Sequence, residues 1–139
     1  MIKKNQLNII IAEDDIDDAD VILDIFTRNP GFKNVTIVSN GEELINYLNN
    51  ISNLLPDVIL TDINMPIMNG IEAIQQIVET DRLKDIPCFV YSTGLNPIYQ
   101  QKCDILGVKA CLIKPYSIAE FEEIPVNIIK FLNNSTILI

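Results

Sequence analysis

Five short apolar runs punctuate the chain, and each is followed by a segment of helical periodicity. The runs are residues 7–12, 35–38, 58–61, 88–91 and 110–113. Four of the five are nearly continuous in apolar character, as expected of parallel strands covered on both faces, where neither side meets water. Between them, apolar stripes at helical spacing predict helices over 16–28 (Val21, Ile22, Ile25, Phe26), 41–50 (Leu44, Ile45, Leu48) and 71–79 (Ile71, Ile74, Ile77, Val78). Asn96-Pro97 supplies a cap and a first-turn proline for a fourth helix, and Gly107 ends it. Ser117 with Glu120 three residues later has the pattern of a capping box for the fifth. Pro125 lacks an N–H for the helical ladder and should kink or interrupt that helix. Five βα units in succession, with right-handed crossovers, predict an α/β fold: a doubly wound parallel sheet.

The 139 residues suffice for one domain, here expected to have its core over about 7–133 and an apolar tail at 134–139. Hydrophobic residues make up 48% and charged residues 21%, which suits a packed core and excludes a disordered chain. Ten basic against 19 acidic side chains give a net charge of −9. That disfavours direct binding to nucleic acid or an anionic membrane and favours a divalent cation or basic partners. No apolar run approaches the ~18 residues of a membrane span, and no signal-peptide pattern opens the chain, so the expected location is cytoplasmic. Cys88, Cys103 and Cys111 are irregularly spaced and read as reduced thiols. The chain contains no His, the commonest general base and metal ligand.

The strand ends carry the chemistry. The first runs out in Glu13-Asp14-Asp15, the third at Asp62, the fourth in Tyr91-Ser92-Thr93-Gly94 and the fifth in Lys114-Pro115. In a parallel sheet these ends share one edge, where ligands bind in open α/β folds. Crowded carboxylates need a counter-charge. A hard cation with oxygen ligands provides one, and Mg²⁺ held by one or two carboxylates plus water is the expected ion. A carboxylate beside it can attack phosphorus to give an acyl phosphate, while a hydroxyl and an ammonium bind the remaining phosphoryl oxygens.

On these residues the chain resembles the receiver domains of two-component response regulators, over essentially its whole length. Asp62 precedes Ser92 by 30 residues, and Ser92 precedes Lys114 by 22; both intervals resemble the family's spacing of acceptor, switch hydroxyl and lysine. The resemblance implies a flavodoxin-like (βα)5 fold with strand order 2-1-3-4-5. It implies phosphorylation of Asp62 by a sensor histidine kinase or phosphotransfer protein. Asp14, Asp62 and the Asn64 backbone carbonyl would ligate Mg²⁺, with Glu13 acting through water. Ser92 is the implied switch hydroxyl, Thr93 its weaker neighbour, and Lys114 the lysine that meets the phosphoryl group. Lys114-Pro115 would be a cis peptide that aims the lysine inward. Output would pass through protein contacts, at a face built by the fourth helix, fifth strand and fifth helix, to a downstream partner the sequence does not name. A stand-alone receiver is expected, not a dedicated enzyme. Two departures stand out: Cys111 occupies the position of the family's inward-rotating aromatic, for which Tyr91 or Tyr116 could substitute, and Gly94 occupies a position where many relatives carry a side chain.

Simpler roles fit several of these residues. Asp15 reads as a helix cap, and Asp17, Asp18 and Asp20 as acids complementing a helix dipole. Asp57, at the opening of the third strand, reads as structural. The acidic run is no EF-hand loop, because its glycine is missing. A haloacid-dehalogenase-type phosphatase would need a second acid two residues after the nucleophile, where Asn64 stands. A pseudo-receiver that acts only as an interaction module is the remaining alternative, and the complete set of acids, hydroxyl and lysine opposes it.

Overall fold

The computed structural model describes residues 6–137, with side chains through Asn134. The elements alternate: β1 (Leu7–Ala12), α1 (Ile16–Arg28), β2 (Phe32–Val38), α2 (Gly41–Asn49), β3 (Val58–Thr61), α3 (Gly70–Val78), β4 (Cys88–Ser92), α4 (Pro97–Leu106) and β5 (Ala110–Ile113), followed by α5 (Ile118–Phe121) and α6 (Glu123–Ile137). The five strands form one sheet in the order β2-β1-β3-β4-β5, and every pairing is parallel. This is the expected doubly wound flavodoxin-like topology. The second strand begins at Phe32, three residues before the apolar run at 35–38, because Phe32 and polar Asn34 also pair with β1, across a register shift at Lys33.

Side chains alternate between sheet faces along each strand, and this divides the core. Ile10, Ala12, Ile59, Cys88 and Val90 pack under α2, α3 and α4 with Leu44, Leu48, Ile74, Ile77 and Cys103. Ile9, Ile11, Val58, Leu60, Phe89 and Tyr91 pack on the other face with Ile22, Ile25 and Phe26 of α1 and with Phe121, Ile124 and Ile128. Burying each large side chain of this kind contributes about 1.5–3 kcal/mol against chain entropy.

Helix starts follow local chemistry. The side chains of Asp15, Asn40, Asn69, Asn96 and Ser117 each accept the N–H three residues on. The reciprocal capping box forms at Asn69 and Glu72. At Ser117 the Glu120 carboxylate instead accepts from the serine hydroxyl at 2.9 Å, so the box expected there is only half made. Gly107 ends α4 at φ 78°, in the left-handed region open to glycine. The last helix is interrupted as expected, but ahead of Pro125: the break falls at Glu122, and Pro125 lies in the first turn of α6, where a missing N–H costs nothing. α6 continues through Ile137, past the expected core boundary, and the packing of the apolar tail lies outside the described side chains. Asp57 is structural: its carboxylate accepts the Asn8 N–H at 2.8 Å, and its own N–H donates to the Asn8 carbonyl at 2.8 Å, tying β3 to β1.

Candidate phosphoacceptor site

The alternation that sorts the core also builds the site. In steps of two, Glu13 follows Ile9 and Ile11, Asp62 follows Val58 and Leu60, Tyr91 follows Phe89, and Lys114 follows Ala110 and Leu112. All four side chains therefore emerge on the α1/α6 face at the carboxyl ends of neighbouring strands, Tyr91 from the last residues of β4 and the other three just beyond β1, β3 and β5. They meet. The Lys114 ammonium lies 2.8 Å from Glu13 Oε1, 2.9 Å from Asp62 Oδ2 and 3.0 Å from Asp18 Oδ2. The Tyr91 hydroxyl donates to the same Glu13 Oε1 at 2.5 Å, and Glu13 Oε2 accepts the Asp15 N–H at 3.0 Å. Asp62 Oδ1 accepts the Ile63 N–H at 2.7 Å. Glu13, Asp62, Tyr91, Ser92 and Lys114 are all buried.

The backbone at Asp62 is equally confined. A Cβ on Gly70 would lie 2.0 Å from the Asp62 carbonyl oxygen, so only glycine lets α3 start this close to the acceptor strand. In the loop between them, Met68 N–H donates to the Pro66 carbonyl at 2.7 Å around Ile67, whose φ is 70°. This is a γ-turn with a β-branched residue at its strained centre.

Burial pushes the Glu13 carboxyl up, opposed by hydrogen bonds from Lys114, Tyr91 and the Asp15 amide. Burial also pushes the Tyr91 hydroxyl far up, and the negative charges of Glu13, Asp62 and Asp18 add to it, so Tyr91 is a fixed donor at physiological pH. For Lys114 burial works downward, but Glu13, Asp62 and Asp18 outweigh it and its ammonium is held. One ammonium is thus shared among three carboxylates.

Exposed Asp14 completes an all-oxygen donor set. One carboxylate oxygen each from Glu13, Asp14 and Asp62 lies within 4.8 Å of the others, a grouping that fits a hard cation. Asn64 lies exposed in the following loop, its side chain accepting from Tyr99 at 3.5 Å. Ser92 is buried at the end of β4 with its hydroxyl on the Gly94 backbone, whereas Thr93 is exposed.

Three expectations change. The Lys114-Pro115 peptide is trans, since no cis bond occurs among the described residues; the strand's alternation already aims Lys114 inward, and trans is the lower-energy form. Asp18, read as a dipole partner only, also reaches Lys114 from the first turn of α1. Tyr91, considered only as a stand-in for the missing aromatic, is instead a hydrogen-bonding member of the cluster; its position two after Phe89 was the signal. Tyr116 is 92% exposed.

Comparison with known proteins agrees with this geometry. The family model of the response regulator receiver domain matches residues 9–124. The chain belongs to the response regulator receiver family. Such a receiver is also similar, at 31% identity over 130 residues, to a protein-glutamate methylesterase/protein-glutamine glutaminase of Clostridium acetobutylicum, covering 90% of this chain and 35% of that protein. The chain thus spans about a third of that relative's length. It is 31% identical over 108 residues to the two-component response regulator ORR11 of Oryza sativa subsp. japonica, covering 78% of this chain and 71% of that one. Among solved structures, the phosphorylated cyanobacterial phytochrome response regulator RcpA superposes with a TM-score of 0.81 at 28% identity, covering 91% of this receiver and 93% of RcpA.

Proposed function

We propose that this receiver takes a phosphoryl group on Asp62 from the phosphohistidine of a sensor histidine kinase or phosphotransfer protein. One observation carries the reading: the Asp62 carboxylate stands at the end of the central strand, its Oδ2 2.9 Å from the Lys114 ammonium, beside two further carboxylates. An Asp62 oxygen attacks phosphorus. The P–N bond to the donor imidazole breaks, and its electron pair returns to that ring, which lies outside these 139 residues, since they contain no His. Lys114 then exchanges its bond to Asp62 Oδ2 for one to a phosphoryl oxygen, and the Ser92 hydroxyl, with Thr93 beside it, turns to another. Asp14, Asp62 and the Asn64 carbonyl would hold Mg²⁺, with Glu13 acting through water. Bound there, the ion would offset the charge shared by the acceptor and the incoming phosphoryl group.

Residues 7–133 act as one receiver unit without a dedicated enzymatic activity, and output passes through protein contacts to a downstream partner. The methylesterase activity named for the Clostridium relative is not carried over, since the match covers about a third of that protein. The proposed site of action is the cytoplasm; no helix among the described residues is long and apolar enough to cross a membrane. With Mg²⁺ and acetyl phosphate the chain should gain one base-labile phosphoryl group, mapped by mass spectrometry to Asp62, and Asp62→Asn should gain none. Labelling that persists in Asp62→Asn would refute the assignment.

A further inference from the structure

Tyr91 is a polar anchor in an otherwise apolar layer. Its ring is fully buried among the Phe89 and Ile11 side of the core. Its hydroxyl reaches Glu13 Oε1, and the Lys114 ammonium lies 5.1 Å from its ring centroid, in cation–π range. Glu13 Oε1 therefore has two donors, one neutral and fixed, the other charged and on a long flexible stem. The difference matters when Lys114 turns to a phosphoryl group. A buried carboxylate abandoned by its only side-chain donor would resist that departure, because an unpaired buried charge is costly. With Tyr91 in place, Glu13 keeps a side-chain partner and the Asp15 N–H throughout. The ring also lines one side of the space around the ammonium, so Lys114 moves beside an aromatic face.

We propose that Tyr91 is a positioning residue of this site: its hydroxyl holds Glu13 in place so that Lys114 is free to transfer a hydrogen bond to the phosphoryl group on Asp62, and so that Glu13 stays arranged for a cation shared with Asp14 and Asp62. This role rests on the phosphoacceptor reading for the lysine transfer and on the carboxylate cluster alone for the cation. Without the hydroxyl, Glu13 draws Lys114 closer and carries positive charge toward the cation position. Loss of such an outer partner typically weakens metal binding on the order of tenfold or more.

The test is Tyr91→Phe, alone and combined with Glu13→Gln. Mg²⁺ affinity is read from the amide shifts of Asp14 and Asn64, and Asp62 labelling from acetyl phosphate. Tyr91→Phe should bind Mg²⁺ about tenfold more weakly and label more slowly at equal Mg²⁺ occupancy. In the Glu13→Gln background the same change should have no further effect, because Tyr91 acts through that carboxylate. Unchanged affinity and labelling in Tyr91→Phe, or an equal loss in both backgrounds, overturns the proposal. In the wild-type chain the Tyr91 hydroxyl proton should remain slowly exchanging when a beryllofluoride phosphoryl mimic is added, while the Lys114 ammonium resonance shifts. Loss of that hydroxyl signal overturns the proposal even if Tyr91→Phe fails to fold. An unlabelled wild-type chain would sink the phosphoacceptor reading instead, with the Mg²⁺ measurements still deciding for or against Tyr91.

Discussion

Lys114 uses all three of its N–H donors on carboxylates, two of them buried and the third, Asp18, half-exposed. Removing the ammonium leaves Glu13 and Asp62 buried without their cation. In metal-free buffer at neutral pH, Lys114→Met should therefore lower stability by about 3–5 kcal/mol, read from urea denaturation. A loss of only a few tenths would mean that the carboxylates relax into solvent. The cysteines make a contrasting case. Burial pushes the Cys88 thiol up to about 12, and burial together with the neighbouring Cys111 thiol does the same for Cys103. A raised thiol pKa means less thiolate below it, roughly one part in ten thousand at pH 8, and the thiolate is the nucleophile. Half-buried Cys111 should alkylate first in the native protein, with Cys88 and Cys103 protected until unfolding. Early labelling of Cys103, seen by peptide mapping, would contradict this packing.

At the scale of elements, the segment between β3 and α3 is tightly constrained. Gly70 is held against the Asp62 backbone, and the γ-turn at Ile67 lies between the two. A β-branched residue at φ 70° is strained by about 1–2 kcal/mol, and the Ile67 side chain is 74% exposed, so it gains little packing in return. Ile67→Gly should relieve that strain, and after the entropy cost of glycine the net gain should be about 0.5–1 kcal/mol in thermal or urea unfolding. Destabilisation would show that Ile67 is held by contacts stronger than its exposure implies. The split of the last helix has a comparable local origin. A helical ladder would need a Pro125 N–H for the Phe121 carbonyl, and no such N–H exists, so α5 closes at Phe121 and α6 restarts at Glu123.

For the whole molecule, the balance of charge sets the response to cations. The net charge of −9 makes any salt stabilising to some degree through screening. A specific site adds a second contribution that monovalent salt cannot mimic. At Mg²⁺ concentrations tenfold above the dissociation constant, folding should gain about 1.4 kcal/mol, a shift of several degrees in Tm relative to NaCl of equal ionic strength. Asp14→Ala should abolish the difference between the two salts while leaving the general salt effect. An unchanged difference in that variant would move the cation away from the Glu13–Asp14–Asp62 cluster. Lys114, lying among three carboxylates of this acidic edge, supplies part of its counter-charge.

Alternation of apolar runs with helical stripes was enough to dictate a five-stranded parallel α/β fold, because strands buried on both faces must be apolar and crossovers must be helical. The strand-end positions of Glu13, Asp14, Asp62, Ser92 and Lys114 were legible for the same reason: each residue follows an apolar run directly or, for Asp14, one residue later. Helix boundaries were legible where a capping side chain marks them, as at Asp15 and Asn96, and less so at Asn69, whose box lies inside a loop of mixed character. What the sequence left open depends on contacts between residues far apart in the chain. Tyr91 and Glu13 are 78 positions apart, and only strand order and side-chain parity bring the hydroxyl to the carboxylate. Asp18 looked like any acid in a first helical turn until α1 packed on the face where Lys114 emerges. The peptide before Pro115 was likewise settled in three dimensions, since the direction of β5 aims the lysine without a cis bond. Local pattern determined which groups reach the sheet edge; tertiary packing decided which of them touch, because short-range electrostatics and hydrogen bonds act only between groups the fold has already brought together.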